Sequence, residues 1–228
     1  MEGNSHNLQQ AGRKILVMTA VEAEREAVLR GLGGDGRFEA ALAGVGPVQA
    51  AVSTTKLLAA GSGRYSLVVS AGIGGGYPGR AEIGSLVVSS EIIAADLGAE
   101  TPAGFSGLAE LGFGTAAVPV GRALAERTAA ALTAAGLPVT LGPALTLATV
   151  TGTAATASML AARFPGAASE GMEGFGAAAA AAEFGLPALE LRAISNVVGP
   201  RDKSLWRIGD ALKALEAAFA AIVESWRE

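Results

Sequence analysis

An α/β fold is predicted for this chain: a single-domain three-layer sandwich around a mixed, mostly parallel central sheet. Strand-like and helix-like runs alternate along the sequence, and parallel neighbours in a sheet need such crossover connections. The 228 residues, 50% of them hydrophobic, suffice for one sizeable core and are few for two. Residues 1–11 are expected to be a tail and 12–228 the folded domain.

Lys14–Thr19 reads as a β-rich apolar strand, followed by helical spacing over Glu22–Leu32 with glycines at its end. Phe38–Ala43 reads as the next strand. Gly44 to Pro47 is a tight turn that sets proline at the first helical position of Val48–Ala60. Leu67–Ala71 is a third strand, expected to end in the glycine run Gly72–Gly79, and Ser85–Ile93 is a fourth. Ala94–Val118 is a long glycine-rich excursion with little periodicity, and loops of that length usually carry function or contacts. Then come a helix over Arg122–Ala135, a strand over Ala144–Val150, a helix over Ala154–Phe164 and a short strand over Ala168–Met172. A helix over Gly174–Phe184, a strand over Ala188–Ile194 and an amphipathic helix over Ile208–Trp226 complete the chain. Ligands of such sheets sit beyond the carboxyl ends of strands, so chemistry is expected just after Thr19, Ala43, Ala71, Val150, Met172 and Ile194.

Composition narrows the function. A net charge of −4 with 17% charged residues provides no basic stripe for a row of phosphates, which disfavours nucleic acid as a partner. There is no cysteine, and the single histidine, His6, lies in the polar opening stretch. Thiolate nucleophiles, disulfides, histidine triads and Cys/His metal sites are therefore disfavoured, and proton chemistry falls to carboxylates, amides or water. No metal or organic cofactor is expected. The apolar runs are broken before the roughly 20 residues a spanning helix needs, and Met1–Gln10 lacks a secretory apolar core. No membrane association and a cytoplasmic location are the corresponding expectations.

Gly74 to Gly79 satisfies the G-x-G-x-x-G pattern, but it contains Pro78 and leads into a strand, whereas a dinucleotide fingerprint opens a helix. Gly44-Val-Gly46 does open a helix, yet no Asp or Glu occurs from Ala40 to Ala81 to hold a ribose hydroxyl. It reads better as a turn needing positive φ. Gly72–Gly76, with four glycines at a strand's carboxyl end, would let a planar base come close to the backbone. Gly72, Ile73 and Gly74 are thus expected substrate contacts, as is Val150.

Four segments in order resemble one family: Thr19-Ala-Val-Glu-Ala-Glu24, Ala71-Gly-Ile-Gly-Gly-Gly76, Gly171-Met-Glu173 and Arg192-Ala-Ile-Ser-Asn196. The chain is similar through them to the nucleoside phosphorylase and nucleosidase superfamily, in the branch of methylthioadenosine/S-adenosylhomocysteine nucleosidases. The adenine-specific members carry an aspartate where this chain has Asn196. A neutral amide can hydrogen-bond N7 and a 6-oxo group together, which suits hypoxanthine or guanine. The stretches from Ser195 to Asp202 with Trp206, and from Ala95 to Glu100 with Gly104 and Phe105, are similar to the futalosine hydrolases of menaquinone biosynthesis.

The resemblance implies a nucleoside phosphorylase-like fold, no cofactor and hydrolysis of futalosine to hypoxanthine and the dehypoxanthinyl sugar. It assigns Glu24 to the attacking water, although a first-turn helix carboxylate needs no such role. It gives Met172 and Glu173 to the ribose, the bland alternative being a helix-start charge beside a core methionine. Asn196 goes to the base, with Asp202 as rival. Arg192, on an apolar strand, calls for a buried carboxylate partner such as Glu173. Phe105, Tyr77 and Trp206 could each cover the 5′ aromatic group, and each could equally be a core or lid residue. Relatives commonly associate, so a homo-oligomer, dimer or higher, is expected. A phosphorylase is disfavoured because that family's Gly-Asp-Pro after the first strand is absent. A non-catalytic nucleoside-binding protein would have no need of Glu24.

Overall fold

The computed structural model describes residues 12–226, so His6 lies outside the described residues. The strands are β1 Lys14–Thr19, β2 Phe38–Leu42, β3 Tyr65–Gly76, β4 Leu86–Ala94, β5 Gly98–Thr101, β6 Gly104–Gly107, β7 Ala117–Pro119, β8 Val139–Thr146, β9 Ser169–Gly171 and β10 Ala188–Val197. The helices are α1 Glu22–Leu32, α2 Pro47–Ala60, α3 Arg122–Ala134, α4 Ala154–Arg163, α5 Gly174–Glu183 and α6 Ile208–Ser225, with a 3₁₀ turn at Lys203–Leu205. The α/β alternation is as the sequence predicts.

The sheet departs from the expected open sandwich. Its pairings run β10–β4–β8–β9–β3, and β3 pairs again with β10, so five strands close into a ring. β1 and β2 extend the sheet from β3, and β7 lines β4. Within the ring β3–β10, β4–β8 and β8–β9 are parallel, while β10–β4 and β3–β9 are antiparallel. Sheet twist and the stagger of the register let the five strands curl until β3 and β10 pair, which leaves the helices on the outside of the ring.

The glycine run is the second departure. Gly72–Gly76 is the last part of β3 rather than a loop after it. Glycine in a strand permits close approach and a sharp bend, and here Gly75 and Gly76 take the antiparallel pairing with β9 that closes the ring. Ala94–Val118 carries the hairpin β5–β6 and the edge strand β7, instead of one unstructured excursion.

Helices cover the outside of the sheet. Leu215, Phe219 and Ile222 of α6 are buried with Leu16 and Val17 of β1, Val68 and Val69 of β3, and Leu189 and Leu191 of β10. Each such side chain contributes about 1.5–3 kcal/mol when fully withdrawn from water. The alanine run of α5 buries Ala177, Ala178, Ala180 and Ala181, a small-residue face that lets the helix lie close to the sheet. That proximity brings its first turn, with Glu173 just before it, to the end of β3.

Candidate active site

Glu24 is positioned by its own helix. Val21 at the start of α1 has no side-chain acceptor, so half of a capping box forms: Glu24 reaches back and Oε2 accepts the N–H groups of Ala20 at 2.9 Å and Val21 at 3.3 Å. Its Oε1 accepts from the Ile73 N–H of β3 at 2.9 Å. The carboxylate is 4% exposed. Burial raises its pKa above the usual glutamate value, opposed by Arg192 and the Ile73 and Val21 N–H groups and reinforced by the charge of Glu173. A carboxyl raised in this way is a stronger base towards water once ionised.

Behind it lies a buried charge cluster. Glu190 and Arg192 stand two apart on β10 and so share a face; Nε of Arg192 donates to Oε1 of Glu190 at 2.7 Å. Nη2 of Arg192 also donates to Oγ of Ser70 at 3.0 Å and lies 3.4 Å from Oε2 of Glu173. Burial alone would lower the Arg192 pKa, but Glu190, Glu173 and Glu24 together raise it above its usual value. Glu190 is raised by burial, with Arg192 opposing. The expected partner Glu173 is therefore the looser contact, and Glu190 is the tight one. Three carboxylates share one guanidinium, an excess of negative charge that suits a cationic centre nearby.

Two glycines make room for this cluster. A Cβ on Gly72 would stand 2.5 Å from Glu24 Oε1 and 2.7 Å from Arg192 Nη1. One on Gly174 would overlap Oε2 of Glu190, an atom with no hydrogen-bond partner among the described residues. Gly72 thus sits behind the site as the gap through which Glu24 and Arg192 meet.

Glu173 is held by backbone: Oε1 accepts from Gly46 N–H at 3.2 Å and Oε2 from Met172 N–H at 3.3 Å. The Gly44–Pro47 turn has the positive φ its glycines were expected to supply, and it also orients this carboxylate. At the end of β10 the register shifts between Ile194 and Asn196, a bulge of the kind that re-aims side chains beside sites. Asn196 Oδ1 accepts from Ser195 Oγ at 2.9 Å and its Nδ2 donates to the Val197 carbonyl at 3.0 Å.

Glu24, Ile73, Gly74, Val150, Met172, Glu173, Asn196 and Trp206 all line one cavity of about 300 Å³. Glu170, Thr151 and Arg201 line it too, and sequence reading missed them in that role. An adjoining cavity of about 440 Å³ beyond Tyr77 is roomier but has no carboxylate in its walls.

Three other sequence expectations fall elsewhere. Phe105 is in the β5–β6 hairpin, where its ring lies under the Arg163 guanidinium at 4.0 Å, and it does not border the cavity. Tyr77 is buried, with its hydroxyl 3.4 Å from Glu170 Oε2. Asp202, the rival of Asn196, caps the 3₁₀ turn by accepting from Ser204 N–H at 3.0 Å and does not border the cavity.

Residues 8–226 match the Phosphorylase superfamily. A futalosine hydrolase of Streptomyces coelicolor is 49% identical over 238 aligned residues, which cover 93% of this chain and 97% of that protein. The chain belongs to the futalosine hydrolase family. Among solved structures, a futalosine hydrolase of Helicobacter pylori superposes with a TM-score of 0.80 at 18% identity, covering 96% of this chain and 99% of that one. A methylthioadenosine/S-adenosylhomocysteine nucleosidase of the same organism gives 0.79 at 17% identity, covering 94% and 98%. At those identities the superpositions establish the fold alone, which is nucleoside phosphorylase-like. Membership of the futalosine hydrolase family makes the chain an N-glycosyl hydrolase. Among the described residues no helix is long and apolar enough to cross a membrane.

Proposed function

We propose that this chain hydrolyses the N-glycosidic bond of futalosine, releasing hypoxanthine and dehypoxanthine futalosine. The observation that carries the reading is that Glu24, Glu173 and Asn196, from three distant parts of the chain, border one cavity. Water adds to C1′ of the ribose, the bond from C1′ to the purine breaks, and its electron pair leaves with the base. Glu24 takes the proton from the attacking water. The ribose passes through an oxocarbenium-like state, and the surplus of carboxylates around Arg192 favours that positive charge. Glu173 accepts hydrogen bonds from the 2′ and 3′ hydroxyls while Met172 packs on the sugar. Asn196 donates to N7 and the 6-oxo group; an amide has no proton to give up, so the departing base is protonated from water.

The 5′ side of futalosine ends in an aromatic carboxylate. Arg201 is exposed at the cavity, 5.6 Å from the centre of the Trp206 ring, and supplies a cation and an aromatic face together. A cytoplasmic homo-oligomer is part of the same proposal. The test is base release from futalosine, inosine and methylthioadenosine offered separately. Futalosine should be the preferred substrate, and preference for methylthioadenosine would contradict the role of Asn196.

A further inference from the structure

Three adjacent strands set one row of residues beside the cavity. Asn196 of β10 is the register partner of Gly75 on β3, and Gly75 is the partner of Glu170 on β9. Residues of one row present their side chains to the same face, and both Asn196 and Glu170 line the cavity. Gly75 between them has no side chain, and Asn196 Nδ2 lies 3.2 Å from the position its Cβ would take. The two outer residues are two strand spacings apart, roughly 10 Å between backbones. An amide and a carboxylate therefore flank a bare strip of main chain.

Glu170 is an expensive residue to keep here. It is 4% exposed and has no cationic partner among the described residues. Its Oε1 accepts from Thr151 N–H at 2.8 Å, and its Oε2 from Thr151 Oγ1 at 2.6 Å and the Tyr77 hydroxyl at 3.4 Å. All three contacts, from Thr151 and Tyr77, are donors; burial raises the Glu170 pKa and these hydrogen bonds oppose it by favouring the ionised form. A carboxylate has about four lone-pair positions, so one acceptor position remains beside the cavity. The water-activation and ribose roles belong to Glu24 and Glu173 and leave Glu170 unused.

We infer that Glu170 accepts the N1–H of a 6-oxopurine, so that Glu170 and Asn196 across Gly75 select 6-oxopurines over 6-aminopurines. The inference rests on the proposed reading of the cavity as a nucleoside site. Hypoxanthine offers a donor at N1 beside acceptors at O6 and N7, which matches carboxylate and amide in turn. Adenine offers a lone pair at N1, and two acceptors would then face each other without water. A site built around a hydrogen bond rejects the analogue that cannot make it far more strongly than an apolar pocket could. Glu170 takes no part in bond cleavage; it sets specificity.

The test compares Glu170→Gln with the unaltered full-length chain on futalosine and its 6-amino analogue, which share the 5′ group. The variant's amide can donate to N1 of the 6-amino base, so the ratio of kcat/KM for the 6-oxo over the 6-amino substrate should fall about 100-fold. Parallel losses on both substrates, with the ratio unchanged, would mean that Glu170 only supports Thr151 and would overturn the inference while leaving futalosine hydrolysis standing. An unaltered enzyme that prefers the 6-amino substrate would overturn both. Should the variant fail to fold, inhibition of the unaltered enzyme by hypoxanthine and 1-methylhypoxanthine decides. Hypoxanthine should bind about 100-fold more tightly, and equal binding would refute the role of N1–H.

Discussion

Glu24 Oε1 accepts the Ile73 backbone N–H at 2.9 Å, tying the first turn of α1 to the glycine-rich end of β3. The contact holds the carboxylate at the cavity wall before any substrate arrives. Glu24→Gln keeps the length but sets an NH₂ against one of the N–H groups that now donate to it. Turnover should fall by about 10²–10⁴-fold, the usual contribution of a positioned base, with KM changed only a few-fold. Steady-state kinetics on futalosine check this; unchanged kcat would remove Glu24 from the chemistry.

The pH profile follows from the direction of the Glu24 shift. Burial raises its pKa above the ordinary glutamate value of about 4.3. Water activation needs the ionised form, so kcat should fall on an acid limb that lies above that value. Stability runs the other way. A carboxyl raised in the folded state contributes stability that is present below its unfolded pKa and is lost as pH rises through the folded one. Glu170 and Glu190 are raised by burial as well and add in the same direction. Thermal unfolding followed upward from the ordinary glutamate value of about 4.3 should show Glu24→Gln with a shallower decline of stability with rising pH than the unaltered chain.

Gly72→Ala tests the gap behind the site. Its Cβ would come within 2.5 Å of Glu24 Oε1, so carboxylate or backbone has to move. The stability cost should be about 1–3 kcal/mol, as for other overpacked positions. The kcat should drop at least about tenfold, since small displacements of catalytic groups cost that much. A variant with full turnover would show that the placement of Glu24 does not matter.

Arg192→Met removes the guanidinium that Glu190, Glu173 and Glu24 share. A destabilisation of about 3–5 kcal/mol is expected, because the remaining charges lose their partner. Arg192→Met with Glu190→Leu should recover part of that loss. Urea unfolding of the single and double variants checks both; an additive double variant would mean that the 2.7 Å pair is not coupled.

Arg201→Gln should raise KM for futalosine roughly tenfold or more while leaving inosine, which lacks the carboxylate, nearly unaffected. Equal effects on the two substrates would place the 5′ carboxylate elsewhere.

Local signals were readable in the sequence, and long-range ones were not. The bounds of β1 and α1 match the prediction residue for residue, because period and turn chemistry decide them. Glu24, Met172, Glu173 and Asn196 could be found because each stands in a short segment with a family resemblance, and the fold carries all four to one cavity. Ring closure depends on β10 meeting β4 antiparallel, a pairing between segments about a hundred residues apart that no local pattern encodes. Glu190 had a usable signal in its two-residue spacing from Arg192, which puts both on one face of a strand. Glu170 had none, since its meaning comes from a register partner on β3. Phe105 was misleading for the opposite reason: an aromatic in a long loop invites a substrate role, and the hairpin carries it to Arg163.

Chromatography of the products formed from futalosine, with and without inorganic phosphate, bears most directly on hydrolysis at this cavity. Hypoxanthine and dehypoxanthine futalosine should appear at the same rate in both reactions. A phosphorylated sugar, or release that requires phosphate, would contradict it.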